Sequence, residues 1–250
     1  MADKKIIDYY ENLYKNKDVG NPASRIYNKL RADAIAREIT SATELLVVGC
    51  GNDEDLRLLE HRELAAAFDL AFHAVLDAKK TMPEGWFFVA DATAIPLPKA
   101  SFSTVACSEV LEHIPNFDAA LGEIARVTSG SGSVILTTPN KISFFGIARW
   151  LGEKILHKRL ASDDQPYDDW KSLDLLKASL SKDFIYERAR GIWYLPPLHF
   201  RGKGLPAPLT KLVALLFLPF EMIASRLLPG WGHIVLVRGS RRANNLAGKT

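Results

Sequence analysis

The pattern of this chain predicts an α/β fold built on a parallel sheet, and three observations predict it. The apolar run Leu45-Leu46-Val47-Val48 leads straight into Gly49 and Gly51 and then into an acidic helix start at Asp53. A second apolar segment, Leu64 to Phe68, ends on Asp69, 20 positions after Gly49. From Leu45 to Thr138 strands and helices alternate, which joins parallel neighbours through right-handed crossovers.

Taken in order, Lys5 to Lys15 and Arg25 to Ile39 carry helical spacing, with Tyr9, Tyr10, Tyr14 and Tyr27 among their apolar positions. The first strand follows, and Gly49 and Gly51, lacking a Cβ, let the backbone turn tightly and a ligand approach the main chain. After Pro139 the pattern changes. Phe144 to Leu160 reads as an amphipathic helix, with Phe145, Ala148, Leu151 and Ile155 on one side and Arg149, Lys154, Lys158 and Arg159 elsewhere. Asp168 to Leu180 reads as another helix, Phe184 to Arg190 as a strand, and Gly232 to Arg238 as the last strand.

Between those two strands, Gly191 to Trp231 is too long for a hairpin turn and must build something of its own. Leu212 to Ile223 is apolar all round, while Pro206, Pro208, Pro219 and Pro229 punctuate the segment. A membrane span needs about 20 predominantly apolar residues, and Pro219, Glu221 and Arg226 interrupt this run. Two readings remain: a lid packed over a substrate pocket, or an interfacial segment dipping into a bilayer. The lid is favoured because buried helices are commoner than membrane-seeking ones.

Composition bounds the function. With 32 basic against 29 acidic residues and a formal charge of +3, nothing demands a nucleic-acid partner. Arg238, Arg241, Arg242 and Lys249 at the end read as a solvated tail. Cys50 and Cys107 are the two cysteines; both lie in apolar strand contexts, and their spacing suggests neither zinc nor a disulfide framework, so no metal is expected. Met1 to Lys5 lacks the apolar region of a secretory signal, which predicts a cytoplasmic chain, at the membrane only peripherally if the interfacial reading holds.

A ligand of such a sheet sits beyond the carboxyl ends of the strands, where strand order reverses. Gly49 to Asp53, Asp69, Asp91 and Ser108 to Glu109 converge there. A carboxylate at Asp69 suits two ribose hydroxyls. A third glycine and a pyrophosphate would complete a dinucleotide site, but Asp53, Glu54 and Asp55 would repel a diphosphate. Acids in a first helical turn also complement the helix dipole, yet that explains neither the paired glycines nor Asp69. A ribose-bearing, phosphate-free, cationic ligand fits, and S-adenosylmethionine is one.

In ordered segments the chain resembles the class I S-adenosylmethionine-dependent methyltransferases, in particular the group that includes the ubiquinone/menaquinone methyltransferases. Leu46 to Gly51 resembles the first motif, Phe68-Asp69-Leu70 the ribose-binding strand end, and Val89 to Pro98 the adenine-binding turn. Ser101 to Ile114 resembles the fourth strand with its helix, and Leu121 to Asn140 the fifth-strand unit. Val47 stands where an acidic residue is common, which leaves one contact to the methionine end missing or supplied elsewhere. Asp53 replaces a frequent third glycine and Ser103 a frequent aspartate.

The resemblance implies a Rossmann-like, doubly wound, mixed seven-stranded sheet with helices on both faces, closed by an antiparallel pair. Helical insertions follow the fifth strand and separate the last two strands. One domain spans 1–250: helices over 1–40, a cofactor-binding core over 41–140, a substrate cap over 141–231, and the last strand with a basic tail over 232–250. The implied function is methyl transfer from S-adenosyl-L-methionine to a small-molecule or lipid-like acceptor. The displacement is in line and needs no metal and no nucleophilic side chain. Gly49, Cys50 and Gly51 would serve through the main chain, Asp69 and Leu70 at the ribose, Asp91 and Ala92 at the adenine. Ser108 and Glu109 would lie near the methionine end, and Tyr10 is a weaker contact, a core tyrosine being the commoner role.

An acceptor carrying a proton needs a base. His113 follows Glu109 by four residues, one helical turn, so both could face one pocket; a cap or packing role before Pro115 weighs equally for His113. His199, in the aromatic run Trp193 to Phe200, is the third candidate base, against a plain loop anchor. Glu112 reads as a solvated helical residue. The competing functions are a non-catalytic nucleoside-binding module and a nicotinamide-dependent oxidoreductase, the latter opposed by the acids at 53 to 55.

Overall fold

The computed structural model describes residues 2–16, 22–39, 44–51, 53–60, 64–157, 165–194, 199–200, 203–204 and 207–242. Two helices, α1 (Lys4–Lys15) and α2 (Pro22–Glu38), precede the first strand. The alternating core then runs β1 (Glu44–Val48), α3 (Asp53–Leu56), β2 (Leu64–Asp69), α4 (Phe72–Thr81), β3 (Trp86–Val89), β4 (Phe102–Ser108), α5 (Phe117–Val127) and β5 (Thr128–Pro139). The remainder is α6 (Phe144–Leu156), α7 (Leu173–Leu180), β6 (Phe184–Ile192), the short strands β7 (His199–Phe200) and β8 (Lys203–Gly204), α8 (Ala207–Leu227) and β9 (Ile234–Arg241).

Seven strands form one sheet in the order β3-β2-β1-β4-β5-β9-β6. β1 pairs in parallel with both β2 and β4, so the order reverses between β1 and β4, at the site-bearing edge. β9 runs antiparallel between β5 and β6, which gives the expected mixed sheet with its closing pair. Both faces are covered. Leu46 and Val48 pack with Phe102, Val105 and Cys107 under α5 and α7, while Leu45 and Val47 pack with Cys50 under α2, α3 and α4. Alternate side chains of a strand point to opposite faces, so a central strand covered on both sides reads as a continuous apolar run. Cys50 and Cys107 lie in opposite layers of the core and are not joined by a disulfide.

Several local expectations are corrected. No α-helix follows β4 directly: Glu109 has φ +54° and only a 3₁₀ turn, Leu111–His113, separates it from α5. α7 begins at Leu173, not Asp168, because Ser172 caps its first turn by accepting from the Leu175 amide. Arg238 and Arg241 are no solvated tail. They lie in β9, where Arg238 pairs with Glu187 at 2.8 Å and Arg241 with Asp183 at 3.3 Å. Lys249 and residues 158–160 lie outside the described residues.

α6 turns the opposite way from an ordinary amphipathic helix. Arg149 faces the body, its Nη1 2.7 Å from Asp168 Oδ2 and its guanidinium over the Trp170 ring, while Leu151 and Ile155 are exposed. α8 packs against α2 and β6. None of its described side chains lines the central cavity. No described helix is long and apolar enough to cross a membrane.

Candidate functional site

A cavity of 440 Å³ opens at the carboxyl edge of the sheet, where β1, β2 and β4 end. Gly49 has φ +84°, a conformation that costs a side-chain-bearing residue, and a Cβ there would meet Val110 Cγ2 at 2.3 Å. Asp69 closes the glycine turn: its Oδ2 accepts from the Gly51 amide at 3.1 Å and its Oδ1 from the Ala71 amide at 3.0 Å. Burial raises the Asp69 carboxyl to about 6, against the lowering by those amides.

On one side Leu70, Asp91, Ala92 and Thr93 line the cavity. Asp91 Oδ1 accepts from the Thr93 amide at 2.9 Å and from its hydroxyl at 2.8 Å, an Asx-type turn that fixes the loop after β3. Glu123 and Arg126 hold the same loop from α5. Glu123 Oε2 accepts from the Ile95 amide at 2.8 Å, and Arg126 donates to the Ile95 and Leu97 carbonyls at 2.7 Å each.

On the other side Glu109 and His113 both line the cavity. Their convergence comes through the left-handed Glu109 and the 3₁₀ turn, not through a helical turn. Glu109 Oε2 accepts from the Tyr27 hydroxyl at 3.0 Å, and its buried Oε1 has no partner. Burial first, then the neighbouring Glu112 charge, raises the Glu109 carboxyl to about 8, opposed by Arg31 and the Tyr27 hydrogen bond. His113 is pushed below the usual imidazole value by burial, against Asp168, and therefore stands neutral. Gln165 Nε2 bridges it to the N-terminal helix, 2.9 Å from His113 Nδ1 and 3.0 Å from the Tyr10 hydroxyl to which it donates.

α1 covers the cavity with Ile6, Tyr10 and Tyr14. The Tyr14 hydroxyl lies so close over Gly51 that a Cβ there would be 2.0 Å from it. Tyr10 therefore lines the cavity instead of filling a core.

Of the residues singled out in the sequence, Gly49, Asp69, Leu70, Asp91, Ala92, Glu109, His113 and Tyr10 meet at this cavity. Cys50, Gly51 and Ser108 do not line it. The Cys50 amide donates to the Phe68 carbonyl at 3.1 Å, the Gly51 amide is held by Asp69, and Ser108 Oγ accepts from Thr137 at 3.2 Å. His199 lies on β7, paired with β8, and its side chain falls outside the described residues. Glu112 is buried, not solvated, because the 3₁₀ turn points it inward to Thr138 Oγ1 at 3.3 Å.

Sequence reasoning missed Tyr14, Tyr27, Gln165 and the buried pair of Arg31 with Asp55, 2.9 Å apart. Only Tyr14 carried a usable signal: with Ile6 and Tyr10 it repeats at helical spacing on one face of α1.

The lining has a definite charge. Asp3, Asp69 and Asp91 contribute to it, while Glu109, raised to about 8, gains its charge only when a cation approaches, and among the described lining residues there is no Lys or Arg. Such a cavity suits a ligand with hydroxyls, an exocyclic amine and cationic groups, and opposes a diphosphate. The unpartnered Glu109 Oε1 is the acceptor that an ammonium group would fill. S-adenosylmethionine fits this donor and acceptor set.

Comparison with known proteins agrees with the geometry. The family described as "Methyltransferase domain" matches residues 46–136. A probable S-adenosylmethionine-dependent methyltransferase of Mycobacterium tuberculosis is 31% identical over 121 residues, covering 48% of this chain and 42% of the relative. The match thus spans less than half the length of that relative. Among solved structures, a possible histamine N-methyltransferase of Thermotoga maritima superposes with a TM-score of 0.66 at 15% identity, covering 95% of this chain and 97% of that one. The N-methyltransferase NodS of Bradyrhizobium japonicum, in complex with S-adenosyl-L-homocysteine, superposes with a TM-score of 0.61 at 11% identity, covering 95% and 99%. At such identities these two likenesses speak for the fold.

Proposed function

We propose, from the premise that this chain belongs to the class I S-adenosylmethionine-dependent methyltransferases, that it transfers a methyl group to a small-molecule or lipid-like acceptor by in-line displacement. The observation that carries this reading is the acidic lining of the cavity, free of Lys and Arg among its described residues. When bound, S-adenosylmethionine supplies a methyl group already activated on a sulfonium, so the protein's task is alignment and exclusion of water.

Each lining residue has a part in that task. Asp69 accepts from the ribose hydroxyls while holding the glycine turn. Asp91 and the Ala92 backbone face the adenine, on a loop fixed by Glu123 and Arg126. Glu109 offers its free Oε1 to the ammonium group, the contact that Val47 cannot make. His113, neutral and oriented by Gln165, takes the proton of an acceptor that brings one. Ile6, Tyr10 and Tyr14 of α1 keep water out.

Val110, Ile114 and Pro115 make the lining beside His113 apolar, which favours an apolar or aromatic acceptor. On this reading the protein works in peripheral contact with a membrane, where a lipid-like acceptor resides. Calorimetry with S-adenosylhomocysteine and NAD tests the cofactor: binding of the former alone is expected, and binding of NAD alone would overturn the assignment. Incubation with a labelled methyl donor and extracted lipids or small phenols tests the acceptor. Label in a lipid or phenol fraction is expected, and tight cofactor binding without transfer to any acceptor would make the chain a binding module.

A further inference from the structure

α6 and α8 present apolar side chains that are largely exposed among the described residues. On α6, Phe144 is 67% exposed and Ile155 68%; on α8, Leu216 is 69% exposed, Met222 70% and Leu227 72%. The two faces are joined, since the Phe144 ring lies 5.7 Å from that of Trp231, which follows α8. Contiguous exposed apolar surface of this kind marks an interaction site.

We propose that this joined α6–α8 face seats the protein on the interfacial zone of an anionic lipid bilayer, with α8 lying in the plane of the membrane. The inference rests on the reading of the chain as a peripheral methyltransferase and names its docking surface and lipid class.

Orientation follows from how α8 is held. Glu221 is turned inward, where its carboxylate accepts from the Trp193 and Tyr194 amides, and the Tyr194 hydroxyl donates to the Ala224 and Leu228 carbonyls at 2.9 and 2.7 Å. Insertion across a membrane would break all of these contacts. Contact in the plane keeps them and wets only the outer face with lipid.

The rim of the face selects the headgroup. Lys154 and Arg226 are exposed beside it, and the Lys154 ammonium sits 5.1 Å over the Trp150 ring. The acids of the two helices are engaged elsewhere: Glu153 pairs with Arg149 at 3.1 Å, and Glu221 points inward. Exposed cations beside Trp150 and Trp231 match the chemistry of an anionic headgroup layer, where Trp and basic residues sit at the boundary between tails and water. A second protein chain fits less well. Protein interfaces carry about one hydrogen bond per 100–200 Å², and the outward residues Leu215, Leu216, Met222, Ile223 and Leu227 have apolar side chains.

Flotation with vesicles, without methyl donor, tests the proposal. Wild-type protein should float with phosphatidylglycerol-containing vesicles, and less with pure phosphatidylcholine. The double variant Leu216→Glu, Met222→Glu removes little internal packing, since both side chains are largely exposed. It should lower flotation at least tenfold, while Leu175→Glu, at an exposed position of α7 away from this face, should not. Unchanged S-adenosylhomocysteine binding certifies that the variants fold. Wild-type protein that floats with neither vesicle would sink both the docking face and the peripheral reading. Flotation that survives the double variant would sink the docking face alone. A wild-type dimer that the double variant converts to monomer, without vesicle binding by either, would give the face to a second copy and overturn the proposal.

Discussion

Glu11 of α1 reaches across to α4, where its Oε2 lies 2.6 Å from His73 Nδ1 and its Oε1 accepts from the Phe72 amide at 2.7 Å. α4 has no side-chain cap of its own, because Ala71 occupies the N-cap position. Glu11 therefore caps α4 from another helix and, in the same contact, holds α1 over the cavity. Burial would raise its carboxyl, but the His73 side chain and the two amides overcome that and hold it below its ordinary value.

Releasing that contact should loosen the cover over the cofactor. Glu11→Ala is expected to raise hydrogen exchange throughout α1 and to speed dissociation of S-adenosylhomocysteine, with α5 and α7 unaffected. Because Glu11 is depressed in the folded state, its contribution is present above the ordinary carboxylate value and lost as pH falls through the lowered one. Exchange in α1 that is identical in the variant and the wild type would show that the contact does not hold the helix.

Asp69→Ala should weaken S-adenosylhomocysteine binding by roughly 10- to 100-fold, the effect of losing hydrogen bonds to a charged group. Asp69→Asn, which keeps one acceptor, should lose less. Since burial raises Asp69 to about 6, affinity should fall as pH drops through that value, where the carboxylate becomes protonated. Calorimetry between pH 5 and 8 reads both effects, and an affinity independent of pH and of this side chain would remove Asp69 from the site.

How much of this was legible follows from which contacts are local. The strand Leu45 to Val48 is buried on both faces, so its apolar run shows in the sequence, and Gly49 announces its own turn. Helix ends are settled by less. The positive φ of Glu109 replaces an expected helical turn with a 3₁₀ turn, and nothing in a glutamate predicts that conformation. The facing of α6 depends on Asp168 and Trp170, which draw Arg149 inward from 19 and 21 residues away in the chain. Hydrophobic periodicity, which puts the apolar stripe against the body, is overruled there by one guanidinium.

Arg31 and Asp55 form a pair that no local pattern shows. Their side chains are 4% and 1% exposed, so the attraction between the two charges offsets part of the solvation each has lost, and Asn28 Oδ1 also accepts from Arg31 at 3.3 Å. Arg31→Met alone should destabilise the fold by about 3–5 kcal/mol, since it takes the guanidinium away from a buried carboxylate. The double variant Arg31→Met, Asp55→Leu should recover much of that loss. Urea unfolding of the two variants reads the difference, and equal destabilisation in both would mean that the pair is not an isolated unit.

Glu112 lies buried beneath the cavity residue His113. Burial first, and then the nearby Asp168, raises the Glu112 carboxyl to about 8, against the lowering by its own backbone amide and Thr138; Glu109 stands at about 8 as well. The folded chain thus keeps protons that the unfolded chain releases near the ordinary carboxylate value. Protons bound more tightly by the folded state make stability fall as pH rises, here from about 4.5 to about 8, with no further loss from these groups above that. Glu112→Gln is isosteric, carries no charge and cannot titrate, so it should be close to wild type at pH 5 and more stable at pH 8.5 by about 1 kcal/mol or more. The difference between the variant and wild-type urea midpoints isolates this group from every other titration in the chain. A difference that stays flat from pH 5 to 8.5 would show that Glu112 titrates as an ordinary carboxylate, and with it would go the argument that the turn after β4 holds its acids protonated at neutral pH.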